Sequence, residues 1–250
     1  MNLLDFLFPP KCVCCDGVMI PAEKMIREKG GDALCPGCRA EWEMMKTEKC
    51  SSCGLAIMDC RCATFLMRKN GYRNLIKLCA YKGEAECAVK KLIFCLKKSA
   101  HKKCEVFLAT QLSYPIKRYI REHGESDFCI TNVPRREKNV INYGYDHSEV
   151  LARRIAKLCS IPYFPLIDRV IYGTDQKNLT YEQRLKNTHK AFKISKHYSE
   201  KAKGMTVIIV DDVVTTGASI VACMEALKAS GFDEAVAACI AATARKRSKT

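Results

Sequence analysis

Apolar residues recur along this chain with two periods, and the switches between them mark its elements. Val89, Leu92, Ile93 and Leu96 lie three or four apart within residues 85–98 and predict an amphipathic helix, with the lysines largely off the stripe. Phe128 to Val133 (FCITNV) is instead a continuous apolar and β-branched run that stops at Pro134, which predicts a strand. Arg135, Arg136 and Lys138 follow in a loop, and Val150, Leu151, Ile155 and Leu158 restore helical spacing over residues 147–158. Thr206 to Val210 is again a β-branched run; it ends in Asp211 and Asp212 and gives way to a helical pattern over Ala218 to Ala229. Two strand–loop–helix units of this kind predict an α/β fold with a mainly parallel sheet. Residues 174–192 follow neither period.

The second unit carries the chemistry. Asp211 and Asp212 are expected to emerge at the carboxyl end of a buried strand, where open α/β sheets bind their ligands. Thr215, Thr216, Gly217, Ala218 and Ser219 form a small, hydroxyl-rich turn into the next helix. Backbone N–H groups can approach an anion closely there, and the helix N-terminus adds partial positive charge. Ionised aspartates only accept hydrogen bonds, so the pair suits two vicinal hydroxyls. A ribose 5-phosphate offers both features. Arg135 and Arg136, in the loop after the other strand, are expected at the same edge as cations for a diphosphate.

The first 62 residues have a different character. Cys12 and Cys15, Cys35 and Cys38, and Cys50 and Cys53 form CxxC pairs, and Cys60 and Cys62 form a shorter CxC pair. Four chelating pairs predict two tetrahedral zinc sites: Cys12, Cys15, Cys35 and Cys38 in one, and Cys50, Cys53, Cys60 and Cys62 in the other, although an interleaved pairing would leave the same pattern. Gly37 and Gly54 are expected to supply backbone freedom in the knuckles, and Cys14 stands beside Cys15 as a competing thiol. The expected zinc is structural, because a segment this short buries too little apolar surface to fold alone.

At 250 residues the chain has room for two folding units, expected at 1–65 and 66–250. No stretch is apolar enough for a membrane span, and the first ten residues lack a basic leader region, so a cytoplasmic location is expected. Eight cysteines are scattered singly after residue 62, as in a reducing compartment. Residues 63–140 hold 17 Lys/Arg against 7 Asp/Glu, whereas residues 1–62 hold 8 against 9. The basic excess, with Lys90, Lys91, Lys97, Lys98, Lys102 and Lys103 close together, suits a polyanionic partner, and the cysteine-rich head does not.

Residues 206–219 resemble the 5-phosphoribosyl-1-pyrophosphate (PRPP) motif of type I phosphoribosyltransferases, in which the acidic pair holds the ribose hydroxyls and the loop wraps the 5-phosphate. The whole chain resembles the ComF (GntX-like) family of competence-associated proteins. That resemblance rests on the cysteine pairs from Cys12 to Cys62, Tyr81-x-Gly83, Leu96-Lys97, Val133-Pro134, the box from Tyr143 to Glu149, the stretch with Gln176, Leu179, Arg184, Asn187 and Phe192, and the PRPP motif. It implies a double zinc ribbon ahead of a type I phosphoribosyltransferase-like core and a lid containing Gln176, Arg184 and Asn187. It also implies PRPP with Mg²⁺ as ligand, and a role in natural transformation with single-stranded DNA and DNA-uptake or helicase/recombination proteins as partners. The alternative is an active transferase moving ribose 5-phosphate to a nitrogen acceptor.

Overall fold

Fully buried parallel strands are apolar along nearly their whole length, and four runs of this chain meet that condition. The computed structural model describes residues 9–19, 33–81, 87–98, 101–124, 127–135, 140–141, 144–170 and 191–243. In chain order the named elements are α1 (Pro36–Thr47), α2 (Phe65–Lys69), β1 (Leu75–Tyr81), α3 (Ala88–Lys98), α4 (Lys102–Glu122), β2 (Phe128–Asn132), α5 (His147–Cys159), β3 (Ile167–Arg169), β4 (Phe192–Ile194), α6 (Lys196–Ser199), β5 (Thr206–Val214), α7 (Ala218–Ala229) and β6 (Ala235–Thr243). The sheet runs β1-β6-β5-β2, every neighbouring pair parallel, and β3 and β4 form a separate antiparallel pair. All four parallel strands therefore present their carboxyl ends along one edge.

Strand β5 is longer than its apolar run predicts. β6 offers ladder partners as far as Ala242, so Asp211 pairs with Cys239, and Val213 and Val214 pair with Ala241 and Ala242. The two aspartates lie inside the strand rather than beyond its end. The basic cluster is also divided, between α3 and the start of α4.

Alternation along the strands separates two apolar layers. Ile208, Val210, Ala238 and Ile240 pack with Leu108, Leu112, Ile116, Leu151 and Ile155 of α4 and α5. Val207, Ile209, Ala237 and Cys239 pack with Ile220, Val221, Met224 and Leu227 of α7. The first layer continues without a break into the cysteine-rich head, taking in Cys12, Val13, Leu34, Trp42 and Met45. Trp42 is fully buried with its ring 5.5 Å from that of Phe107, and its indole N–H donates to Gln111 Oε1 at 3.2 Å.

Candidate functional site

Neighbouring residues in a strand face opposite sides of the sheet, and the aspartates follow that rule. Asp212 points toward α3 and α5. Its Oδ2 lies 2.9 Å from Lys97 Nζ, 2.8 Å from His147 Nε2 and 3.5 Å from an Arg135 guanidinium nitrogen. Asp212 is only 4% exposed, and its Oδ1 accepts the Val213 N–H at 2.7 Å. Asp211 is half-buried on the α7 side, where burial first, and then the Asp211 charge, raise the Cys223 thiol. Its Oδ1 accepts the Asp212 N–H at 2.8 Å. Burial first, and then the adjoining Asp212 charge, push the Asp211 carboxyl well above the ordinary aspartate range; Lys97 pulls the other way more weakly. Asp211 is thus the acid without an ion pair among the described residues.

The partners of Asp212 are placed by the segment before α5. Asp146 caps that helix by accepting N–H bonds from Ser148 and Glu149 at 2.9 and 3.2 Å, and its second oxygen takes the backbone N–H of Arg135 at 3.1 Å. One carboxylate therefore fixes the start of α5 and the loop after β2 together. Burial raises the Asp146 carboxyl despite these donors. The Tyr145 hydroxyl donates to the Leu96 carbonyl at 2.5 Å, which holds the end of α3 and hence Lys97. His147, fully buried with no hydrogen-bond partner for Nδ1 among the described residues, and Lys97 were not singled out by periodicity; their sequence signal is their place in the 143–149 box and the Leu96-Lys97 pair.

The loop after β5 is shaped by what lies under it. Gly217 has φ 88°, and a Cβ there would meet Thr64 Oγ1 at 2.6 Å and Met67 Cγ at 2.7 Å, so only glycine fits. Thr64 Oγ1 also donates to the Thr216 carbonyl at 2.7 Å. Thr216 Oγ1 accepts the Ala218 N–H at 3.3 Å, and Thr215 and Thr216 are exposed. Gly217 has no side chain to cap α7, so Thr216 takes the Ala218 N–H in its place, and Ala218 and Ser219 keep the first turn small. Arg136, Lys138, Tyr143, Gln176, Arg184 and Asn187 lie outside the described residues.

The cysteine head gathers two four-thiol groups, Cys12, Cys15, Cys35 and Cys38, and Cys50, Cys53, Cys60 and Cys62, each with all sulfurs within 4.8 Å of one another. A tetrahedral zinc with bonds of about 2.3 Å needs sulfurs about 3.8 Å apart. Cys15 and Cys35 are at 3.8 Å and Cys53 and Cys60 at 3.5 Å, so both groups fit structural Zn²⁺. Burial opposes the Cys12 and Cys50 thiolates, but backbone N–H donors outweigh it and bring them down to about 7 and about 6. Cys14 stands apart: burial raises it to about 11, and its thiol reaches the Ala88 carbonyl at 3.9 Å. The knuckles match in length, with bridges Lys11–Val18 and Lys49–Ala56. Gly54 takes the left-handed conformation in the second, and Asp16, at φ 60°, takes it in the first. Gly37 instead lies in the first turn of α1. Lys77, 5% exposed in the middle of β1, donates to the carbonyls of Cys60 and Cys62 at 3.1 and 2.9 Å and lies 3.4 Å from Cys60 Sγ.

The chain thus joins a head holding two four-cysteine groups to a parallel α/β core, and each part is similar to a known domain family. Residues 146–250 match the family described as phosphoribosyl transferase domain, and residues 3–68 match the double zinc ribbon domain. Among solved structures, the chain is similar to a purine phosphoribosyltransferase from Pyrococcus horikoshii Ot3 at 22% identity, over 56% of this chain and 79% of that one, with a TM-score of 0.35. It is similar to an adenine phosphoribosyltransferase at 14% identity, over 54% and 69%, with a TM-score of 0.31. No curated protein matches the chain. Among the described residues, no helix is long and apolar enough to cross a membrane.

Proposed function

We propose that the core binds PRPP at the carboxyl edge of its sheet and that the protein handles incoming single-stranded DNA in natural transformation, at the cytoplasmic side of the uptake machinery. The observation that carries the ligand half is the loop from Thr215 to Ser219, pinned at Gly217 and opening a helix of twelve residues behind an acidic pair. In this reading the loop N–H groups take the 5-phosphate and Asp211 takes a ribose hydroxyl. Asp212 orders Lys97, Arg135 and His147 beside the diphosphate. Asp211, which has no ion pair among the described residues, would help to hold a Mg²⁺ brought with PRPP, and that ion would screen the diphosphate charge. Residues 1–65 act as the zinc-bearing unit and residues 66–250 as the ligand-bearing unit.

The DNA half is supported by Lys91, Lys102 and Lys103, all exposed, and by Phe94 at 58% exposure on the same face-bearing helix as Lys91. Lysines track a phosphate backbone and an exposed ring offers a stacking platform. Calorimetric titration with PRPP and Mg²⁺ tests the first half: saturable binding by the parent and its loss in Asp211→Asn are expected, and a parent that does not bind removes the reading. Fluorescence anisotropy with an oligothymidine at low and moderate salt tests the second, and no binding at low salt removes it.

An active transferase is the competing reading of the same site. A nitrogen nucleophile would attack C1 of the ribose, the C1–O bond would break, pyrophosphate would leave with the bonding electrons, and the nitrogen's proton would pass to solvent. Pyrophosphate release with candidate acceptors distinguishes turnover from binding alone.

A further inference from the structure

Of the eight cysteines that follow the second knuckle, Cys79, Cys87, Cys104, Cys129, Cys223 and Cys239 are buried, and only Cys95 and Cys159 are half-buried. The Cys159 thiol donates to the Ser113 carbonyl at 3.9 Å. Cys95 instead meets another thiol. It lies in the last turn of α3, and Cys104 lies in the first turn of α4. The Cys104 thiol donates to the Leu92 carbonyl at 3.4 Å. Leu92 and Cys95 are three residues apart and share one face of α3, and Cys104 also makes a side-chain hydrogen bond with Cys95. That contact first, and then burial, push the Cys104 thiol far above its ordinary range.

The two thiols differ in access: solvent reaches Cys95, whereas Cys104 is fully buried. Lys91 stands one turn before Cys95 on the same helix, and partial exposure near a cation is the usual setting of reactive thiols. We propose that Cys95 and Cys104 form an oxidation site for hydroperoxides, with Cys95 as the thiol that reacts first and Cys104 as the thiol that resolves it into a disulfide joining α3 to α4. The Cys95 sulfur attacks a peroxide oxygen, the O–O bond breaks, and Cys95 becomes a sulfenic acid as water or an alcohol leaves with the thiol proton. The Cys104 sulfur then attacks the Cys95 sulfur, the S–O bond breaks, and the hydroxyl leaves as water with the Cys104 proton. One peroxide is reduced and two thiols are oxidised. The bond forms next to Leu96, whose carbonyl accepts the Tyr145 hydroxyl at 2.5 Å, and two residues from Lys97, which pairs with Asp212 at 2.9 Å. Oxidation thereby clamps the helix end that presents Lys97, and in a reducing compartment the clamp is transient.

The full zinc-loaded chain would be exposed to limited hydrogen peroxide, its remaining thiols blocked with N-ethylmaleimide, and its tryptic peptides mapped by mass spectrometry without reductant. Trypsin cleaves after Lys97, Lys98, Lys102 and Lys103, so the two thiols fall on separate peptides unless a disulfide joins them. A link between Cys95 and Cys104 is expected, with zinc content unchanged. Cys95 should be consumed about tenfold faster than Cys159, the other half-buried thiol of the core. Cys104→Ser should stop at a Cys95 sulfenic acid that dimedone traps, and Cys95→Ser should leave Cys104 reduced. The parent's own link and Cys95→Ser carry the test if the buried Cys104→Ser change unfolds the chain. In the oxidised parent, backbone amides in the last turn of α3 should exchange more slowly, and dithiothreitol should restore the reduced rate. The proposal fails if Cys95 reacts no faster than Cys159, if peroxide strips zinc while Cys95 and Cys104 stay reduced, or if Cys104 links to Cys14, whose charge reaches it from the first knuckle. Amide exchange left unchanged by the link would overturn the clamp. None of these readouts involves PRPP or DNA, so the result is independent of the ligand readings.

Discussion

Asp211 and Asp212 are chemically identical neighbours with opposite surroundings, and single substitutions should separate them. Asp212 faces Lys97, Arg135 and His147, so Asp212→Asn leaves the partly buried Lys97 and Arg135 without the counter-charge they share. Breaking a fully buried pair costs about 3–5 kcal/mol; with Lys97 at 35% exposure, a loss of about 2 kcal/mol is expected here. Asp211→Asn should be neutral or stabilising at pH 7. The folded protein holds the Asp211 proton more tightly than the unfolded chain does. Its contribution is therefore favourable at low pH and is lost as pH rises through the raised folded value. The advantage of Asp211→Asn over the parent should accordingly be greatest near neutral pH and fade on acidification. Thermal melts of both variants between pH 4 and 8 check this. Equal destabilisation by the two changes would mean that the strand does not divide them between faces.

At the scale of elements, the second knuckle depends on β1. Its Cys60-x-Cys62 arm is shorter than the usual chelating pair, and Lys77 reaches from the middle of a buried strand to both arm carbonyls. A buried ammonium is tolerated only when its donors are satisfied and an opposite charge stands near. The thiolate cluster provides that charge, with Cys60 Sγ at 3.4 Å. Lys77→Met should lower bound zinc from two per chain toward one while the first group keeps its ion. Metal analysis after dialysis against a mild chelator reads this directly, and retention of two zinc ions would show that the cysteines hold the arm unaided.

For the molecule as a whole, the apolar layer that runs from Trp42 and Leu34 into Leu108 and Leu112 joins ribbon and core in one interior. Strong chelation should consequently lower a single melting transition of the entire chain, because loss of the ribbon exposes one side of the core layer. Calorimetry with and without chelator tests the coupling. Two separate transitions, with the upper one unmoved, would indicate that residues 66–250 stand alone.

The local patterns were sufficient where the physics is local. Period distinguished the helices at His147–Cys159 and Ala218–Ala229 from the strands at Phe128–Asn132 and Thr206–Val214, and thiol spacing marked two four-cysteine groups, because a chelating turn spans only a few residues. The hydroxyl-rich turn after β5 was legible for the same reason. Its fit against Thr64 and Met67 was not, since those residues lie about 150 positions away and only packing brings them to Gly217. Likewise, the length of β5 follows from the partner strand that β6 offers, and the different fates of Asp211 and Asp212 follow from which face of the sheet each occupies. Sequence alone determined which cysteines group in fours and where the hydroxyl-rich turn falls; tertiary structure decided which side chains face each other, because burial and distance belong to the packed chain and not to any stretch of it.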